Sequence, residues 1–275
     1  MRAGRPSPTF AATPVGHHAG RAAAAAVVRA RRHGGSRGRK MVPWYLLLVV
    51  ACAATRGPSP HYEDPDAMIS EFERKDRDAW QRPDEVVDAL PIPGKDAVIA
   101  DIGAGSGYFT RRLAERVPDG RVYAVDVEAR FERYLEEQRE VWGLPNIVPH
   151  LAHYEDPMLP EGSIDLVFTA NTYSYIPDRT AYFRRVRSAL KPNGRLAVVD
   201  FRPDATPPTG AAPPRRQRVD EATVVRELEA AGFRLERKES FLPYQYFLVF
   251  RRADAPAAAS APPSGPSGDA PAPRT

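Results

Sequence analysis

The chain has 275 residues, 43% of them apolar and 27% charged, which suits one soluble domain with additional segments and excludes a collagen or a polytopic membrane protein. A single cysteine excludes an intrachain disulfide. Residues 1–40 hold nine Arg or Lys and no acid, and removing that +9 from the overall charge of +4 leaves −5 for residues 41–275. The positive charge therefore belongs to a leader, and we expect no nucleic-acid partner for the folded part.

An apolar stretch follows the basic leader. Residues 42–54 are about 13 mostly apolar residues, whereas a membrane-spanning helix needs about 20, so their length favours a signal peptide. Cys52 follows Val49-Val50-Ala51, which resembles the lipobox of bacterial lipoproteins. We therefore expect export, or membrane anchoring through this segment or Cys52. A 40-residue basic region is too long for a signal peptide, so translation from Met41 is also considered. A cytoplasmic location and an organellar one with an Arg-rich transit peptide are the alternatives.

Composition divides the chain into three parts. Residues 1–56 are the leader with its apolar segment, and residues 57–253 have the length of one folded domain. Residues 254–275 contain six prolines and almost no large apolar side chains, so we expect a disordered tail.

Helix and strand patterns alternate along residues 82–251. A helix begins at Arg82-Pro83 and ends before Pro91, and the other predicted helices carry apolar faces that start at Phe109, Phe131, Tyr182 and Val224. On the helix that starts at Phe131, we place Val141 on the inward face. The predicted strands are 97–102, 121–126, 146–150, 164–170, 195–201, 233–239 and 245–251. Such alternation predicts an α/β, Rossmann-like, doubly wound and mostly parallel seven-stranded sheet, with an antiparallel edge strand from the last two strands.

A glycine-rich loop lies between the first strand and its helix. Residues 101–107 read Asp-Ile-Gly-Ala-Gly-Ser-Gly, and small residues there allow a ligand to approach the backbone at a helix N-terminus. Tyr108 stands where a dinucleotide-binding fold needs its third glycine, which disfavours a nicotinamide oxidoreductase. Asp126 ends the second strand nineteen residues after Gly107, and a carboxylate there can accept both hydroxyls of a ribose.

With these features the sequence resembles the class I S-adenosylmethionine-dependent methyltransferases, over about residues 80–252. The matching segments are 98–109 for the glycine motif, 122–126 for the acidic ribose residue, 160–168 for the fourth strand and 190–196 for the turn before the fifth. The resemblance is closest to the small methyltransferase-11-like and -25-like proteins. It implies methyl transfer from S-adenosyl-L-methionine to a small-molecule or lipid-like acceptor.

The resemblance also implies roles for individual residues. Asp101 and the glycine loop would hold the methionine part of the cofactor, Asp126 the ribose, and Val127 the adenine. The residues implied in cofactor binding are Asp101, Gly103, Ala104, Gly105, Gly107, Asp126, Val127, Ala152, His153 and Asn171. Asn171, Thr172 and Tyr173 would lie at the mouth of the site, beside the methyl group.

The catalytic residue is left open by the sequence. Many relatives carry a histidine pair after the fourth strand, where this chain has Tyr173-Ser174-Tyr175. Asn171, Tyr173 and Tyr175 are therefore the candidates, and the alternative for either tyrosine is simple packing. The missing pair also raises a second hypothesis, a non-catalytic S-adenosylmethionine- or nucleoside-binding protein with a degenerate site.

Two further segments carry polar residues of interest. His150, His153, Glu155 and Asp156 lie together, but they are expected to form a solvated loop, and no metal is predicted. Residues 202–218 contain five prolines together with Arg215, Arg216 and Arg218. They are expected to be either a substrate-covering loop with an anion-binding arginine or a solvated linker.

Overall fold

The computed structural model describes residues 64–210 and 212–255, so the predicted leader, Cys52 and the predicted tail from residue 256 onward lie outside the described residues. The helices are α1 Pro65–Phe72, α2 Arg77–Gln81, α3 Pro83–Ala89, α4 Thr110–Arg116, α5 Ala129–Trp142, α6 Arg179–Ala189 and α7 Glu221–Ala230. The strands are β1 Val98–Ile102, β2 Arg121–Asp126, β3 Ile147–Leu151, β4 Ile164–Ala170, β5 Leu190–Phe201, β6 Phe233–Glu239 and β7 Gln245–Arg252.

The seven strands form one sheet in the order β3-β2-β1-β4-β5-β7-β6. Neighbours from β3 to β5 are parallel, and β7 pairs antiparallel with both β5 and β6. This confirms the predicted mostly parallel seven-stranded sheet. The reversed strand is β7, and β6 lies outside it at the edge.

Helices cover both faces of the sheet because side chains alternate along each strand. Along β5, Ala197 and Val199 pack with residues of α3, α4 and α5, whereas Leu196 and Val198 pack with residues of α6 and α7. The doubly wound arrangement therefore leaves the ends of the strands as the open part of the sheet.

Three local features differ from the sequence-based expectations. Val141 is 76% exposed, so its placement on the inward face of α5 is wrong, whereas Phe131 and Leu135 of that helix are buried. Strand β5 begins at Leu190 because the residues before Arg195 form a bulge opposite Asp165. Helices α1 and α2 were not predicted, although Asp64 caps α1 and Pro65 begins it.

The segment from α1 to α3 is attached to the glycine loop and α4 by polar contacts. Glu73 accepts a hydrogen bond from Ser106 at 2.6 Å and pairs with Arg111 at 3.2 Å. Asp78 accepts from the Tyr108 hydroxyl and pairs with Arg112 at 3.3 Å. These contacts place α1 and α2 directly beside the loop. None of the helices within residues 64–210 and 212–255 combines the length and apolar character needed to span a membrane.

Candidate functional site

The site lies where the sheet changes direction of winding. Strand β1 pairs with β2 on one side and with β4 on the other, so the loops that leave β1 and β4 diverge at their carboxyl ends. In open α/β sheets the crevice at this switch point binds the ligand. A cavity of about 700 Å³ opens there, lined by the glycine loop, Asp126, the end of β4, helices α1 and α2 and residues 208–210, 212 and 214.

Backbone conformation explains the glycines of the loop. Gly103 and Gly105 line the cavity with φ of +78° and +53°, a region that other residues rarely adopt. A Cβ on Gly103 would approach the Thr172 side chain to 2.1 Å. Gly107 is different: it does not line the cavity, and a Cβ there would approach Leu135 and Trp142 of α5. Its implied role in cofactor binding is therefore corrected to close packing of α5.

Two buried carboxylates face the cavity. Asp126 Oδ2 accepts the N–H of Gly105 at 2.9 Å, and Oδ1 accepts the N–H groups of Val127 and Glu128. Asp101 accepts a 2.7 Å hydrogen bond from Thr110. Burial raises the pKa of Asp126 to about 6 and that of Asp101 to about 7. Both are thus placed to receive hydrogen bonds from a ligand.

The outer wall of the cavity is largely aromatic. Phe72 lies against Phe131 with ring centroids 6.1 Å apart, and Trp80 lies against Phe201 at 5.8 Å. Met68 and Phe109 add further apolar surface. The cavity therefore offers apolar surface for a ligand as well as polar groups.

A closed ring of three side-chain amides borders the cavity. Gln81 Nε2 donates to Gln245 Oε1 at 3.0 Å, Gln245 Nε2 donates to Asn171 Oδ1, and Asn171 Nδ2 donates to Gln81 Oε1 at 3.2 Å. Gln81 and Gln245 are buried, whereas Asn171 lines the cavity with a φ of +58°. The ring therefore fixes the orientation of the Asn171 amide.

A small recess of about 50 Å³ adjoins the main cavity and shares Gly103, Asp126, Thr172 and Tyr175 with it. Val127 and Ala152 line this recess. His153 is exposed and lines neither cavity, because its backbone turns outward in a bridge to Asp156, and Tyr154 lines the recess instead. The placement of His153 at the cofactor is therefore wrong.

The two tyrosine candidates separate clearly. Tyr173 is fully buried, stacks on Phe183 with ring centroids 5.2 Å apart, and donates to Glu227 at 2.8 Å. It lines neither cavity, so its candidacy as a catalytic residue is wrong, and burial together with Glu227 raises its pKa. Tyr175 lines both cavities, and burial and the Asp200 charge raise its pKa to about 12.

Residues 202–218 extend along one side of the cavity. Thr209 Oγ1 and the Gly210 N–H both donate to Glu71 Oε1, at 3.0 and 3.1 Å, so the segment is joined to α1. Arg215 and Arg216 are exposed, and Arg218 donates to backbone carbonyls of its own segment. The segment thus covers the cavity, but its arginines do not line it.

Sequence reasoning missed the residues that α1 and α2 bring to the cavity, among them Glu71, Phe72, Arg77 and Trp80. The available signal was the Asp64-Pro65 cap followed by apolar residues at Met68, Ile69 and Phe72. Within the described ranges, His, Cys, Asp and Glu side chains form no group of three or more that could hold a metal ion.

Comparison with known proteins agrees with this geometry. Residues 99–194 match a family model described as a methyltransferase domain. The chain is 31% identical over 125 residues to nocamycin O-methyltransferase of Saccharothrix syringae, a match that covers 45% of this chain and 40% of that protein. It is 34% identical over 100 residues to trans-aconitate 2-methyltransferase of Rhodopseudomonas palustris, covering 36% and 37%. The chain therefore spans about two fifths of the length of these relatives.

The fold comparison gives a similar architecture. A methyltransferase from Aquifex aeolicus that depends on S-adenosylmethionine superposes with a TM-score of 0.63 at 24% identity, covering 68% of this chain and 97% of that one. The family-model match over residues 99–194 and the sequence relatives support a class I S-adenosylmethionine-dependent methyltransferase of the methyltransferase-11/25 type. They indicate S-adenosylmethionine as the cofactor.

The residues present fit that cofactor. Gly103 and Gly105 line the cavity with backbone that carries no side chain, and the Asp126 carboxylate is held at the end of β2 by three backbone N–H groups. This arrangement is compatible with a nucleoside ligand beside Asp126.

Proposed function

We propose that the protein transfers a methyl group from S-adenosylmethionine to a small-molecule acceptor that binds in the aromatic part of the same cavity. The observation that carries this proposal is continuity: the glycine loop, Asp126, the end of β4 and the aromatic wall border one space of about 700 Å³. One of the relatives described above is named an O-methyltransferase, which supports an oxygen atom as the acceptor.

Each residue has a proposed role. Asp126 accepts hydrogen bonds from the ribose hydroxyls, Val127 and Ala152 contact the adenine in the small recess, and Asp101 accepts from the amino group. Gly103, Ala104 and Gly105 line the cavity, and the two glycines let the backbone approach the methionine part. Asn171 and Tyr175 lie at the acceptor side of the cavity.

S-adenosylmethionine, when bound, supplies a methyl group that its sulfonium centre has already activated. The protein therefore needs to align the acceptor, exclude water and, for a hydroxyl acceptor, receive a proton. The aromatic wall excludes water, and the amide ring holds Asn171 ready to orient a polar group. Tyr175 is a candidate for orientation rather than for proton removal, because its pKa is raised to about 12.

Calorimetric titration of the full chain with S-adenosylmethionine tests the proposal. We expect binding by the wild type and at least 100-fold weaker binding by Asp126→Ala, because the variant leaves the ribose hydroxyls and the Gly105 N–H without their partner. Glu137→Ala is the control, since Glu137 is exposed on α5. Absence of binding by the wild type at about millimolar cofactor would contradict the proposal.

The alternative of a non-catalytic nucleoside-binding protein is not favoured, because the relatives are named for methyl transfer. For location we propose export or membrane attachment through residues 1–56 or Cys52, on the strength of the apolar segment. The alternatives are cytoplasmic and organellar locations, and export would remove the domain from the cytoplasm where the cofactor is made. Recovery of the full chain in the cytoplasmic fraction would contradict export.

A further inference from the structure

Two arginines line the main cavity, and their surroundings differ. Arg74 pairs with Asp76 at 2.6 Å and with Glu71 at 3.4 Å, so two carboxylates offset its charge. Arg77 forms no ion pair with any residue in the described part of the chain. It is therefore the cavity-lining cation whose charge the described residues leave without a direct partner.

The Arg77 guanidinium is nevertheless held firmly. Nη1 donates to the Phe72 carbonyl at 2.8 Å, and Nε donates to Gln81 Oε1 at 3.4 Å. The guanidinium carbon lies 3.7 Å from the centroid of the Tyr108 ring, a cation–π contact that fixes the plane of the group. Nη2 makes no hydrogen bond to a described residue. The Nη2 group of this preoriented guanidinium can therefore donate hydrogen bonds to a ligand.

The free-energy cost of burying the Arg77 charge indicates an anionic ligand. Burial lowers the pKa of Arg77 to about 10, which still leaves the group charged at neutral pH. Burying a charge costs free energy unless the charge is paired. A ligand anion would therefore offset the desolvation of the Arg77 guanidinium, which no ion pair within the described residues offsets.

Arg77 and Asp101 present opposite charges beside the glycine loop. Both line the same cavity, and each lies close enough to influence the pKa of the other. The amino-acid part of S-adenosylmethionine carries one ammonium and one carboxylate group. A cation and an anion on one wall match such a zwitterion better than they match a simple anion, which Asp101 would repel.

We propose that Arg77 binds the α-carboxylate of the cofactor, while Asp101 receives the ammonium group. The inference rests on the proposed function and adds a binding residue from α2, outside the glycine motif and outside the segment matched by the family model. The Arg77–Gln81 contact also joins this carboxylate site to the amide ring that holds Asn171.

Two ligands separate the amino-acid half of the cofactor from its nucleoside half. S-adenosylhomocysteine carries the carboxylate, whereas 5′-methylthioadenosine has the same nucleoside and thioether without it. Both are titrated calorimetrically into the full chain as wild type, Arg77→Met, Arg77→Lys and the control Arg133→Met, which changes an exposed arginine of α5.

We expect Arg77→Met to weaken S-adenosylhomocysteine binding by about 10- to 100-fold, the usual size of a charge-assisted hydrogen bond, and to leave 5′-methylthioadenosine binding within about twofold. Arg77→Lys keeps the positive charge but not the forked guanidinium, so its binding of S-adenosylhomocysteine should be several-fold weaker. This variant also tests the inference if Arg77→Met folds poorly. Arg133→Met should change neither ligand.

Unchanged S-adenosylhomocysteine binding in Arg77→Met would overturn the inference, as would an equal loss for both ligands. Failure of the wild type to bind S-adenosylhomocysteine counts instead against the proposed function. The two proposals therefore fail in different ways.

Discussion

At the scale of single residues, the three glycines of the loop after β1 have different roles, although their spacing in the sequence is regular. Gly103 and Gly105 line the cavity, where a Cβ would approach Thr172 and Phe72, whereas a Cβ on Gly107 would approach α5. The G-x-G-x-G spacing shows that small residues are needed, but it does not show which face of each one is crowded. That information comes from Leu135 and Trp142, which lie about 30 residues further along the chain.

The packing role of Gly107 predicts a loss of stability on substitution. Gly107 and Gly143 both have positive φ, at +82° and +67°, but a Cβ would come within 2.6 Å of Leu135 at Gly107 and would meet nothing within 4 Å at Gly143. Gly143→Ala should therefore cost about 1 kcal/mol for its backbone conformation alone. Gly107→Ala should cost about 3 kcal/mol because overpacking adds to that strain.

Urea unfolding of the two variants measures this difference directly. The mutation is the same in both, so the contribution of the left-handed backbone is matched. Equal losses of unfolding free energy would show that contact with α5 is not the reason for glycine at position 107.

At the scale of elements, the turn after β4 places two similar tyrosines in different surroundings. Tyr173 and Tyr175 are two positions apart, and the sequence favours neither as a site residue. The 3-10 turn of residues 173–175 directs Tyr173 into the core against α6 and α7 and leaves Tyr175 at the cavity. Glu227 holds Tyr173 in this orientation, because it accepts hydrogen bonds from both the Tyr173 hydroxyl and Arg179 of α6.

Tyr173→Phe should therefore change stability without changing the cofactor site. The variant removes one hydrogen bond to a charged group, while Glu227 keeps its pairing with Arg179 at 2.7 Å, so we expect a loss of about 1–2 kcal/mol in unfolding free energy. The Kd for S-adenosylhomocysteine should stay within about twofold. A large rise in that Kd with little loss of stability would contradict the structural role.

At the scale of the whole molecule, the sequence predicts what is local and misses what is distant. Buried strands, the glycine loop and Asp126 lie close together in sequence, and their order predicts the sheet and the part of the cavity beside Asp126. The amide ring joins residues 90, 164 and 74 positions apart, and the Glu71 contact to Thr209 spans 138. No periodic pattern marks such pairs, so the part of the cavity beside Asn171 and α1 became visible only in the folded chain.

Burial of acidic side chains also makes the stability of the whole molecule depend on pH. Asp200 is 2% exposed at the end of β5, where its Oδ1 accepts the Phe201 N–H. Burial raises its pKa from 3.8 to about 6, although nearby backbone N–H groups, that of Phe201 first, and the charge of Arg218 oppose the rise. Between these two pH values the folded chain holds a proton on Asp200 that the unfolded chain has released.

Stability from this group is therefore lost as pH rises from about 4 to about 6, and the full penalty applies at higher pH. Asp200→Asn removes the ionising group at nearly constant size, so it should raise the unfolding free energy at pH 7.5 by about 3 kcal/mol, the equivalent of a pKa shift of about two units. At pH 4 the gain should shrink toward zero. Urea unfolding at the two pH values checks this, with Asp204→Asn as the exposed control, expected to stay within about 0.5 kcal/mol at both. A gain for Asp200→Asn that is the same at both pH values would mean that hydrogen bonding of the amide, and not removal of a buried charge, stabilises the variant.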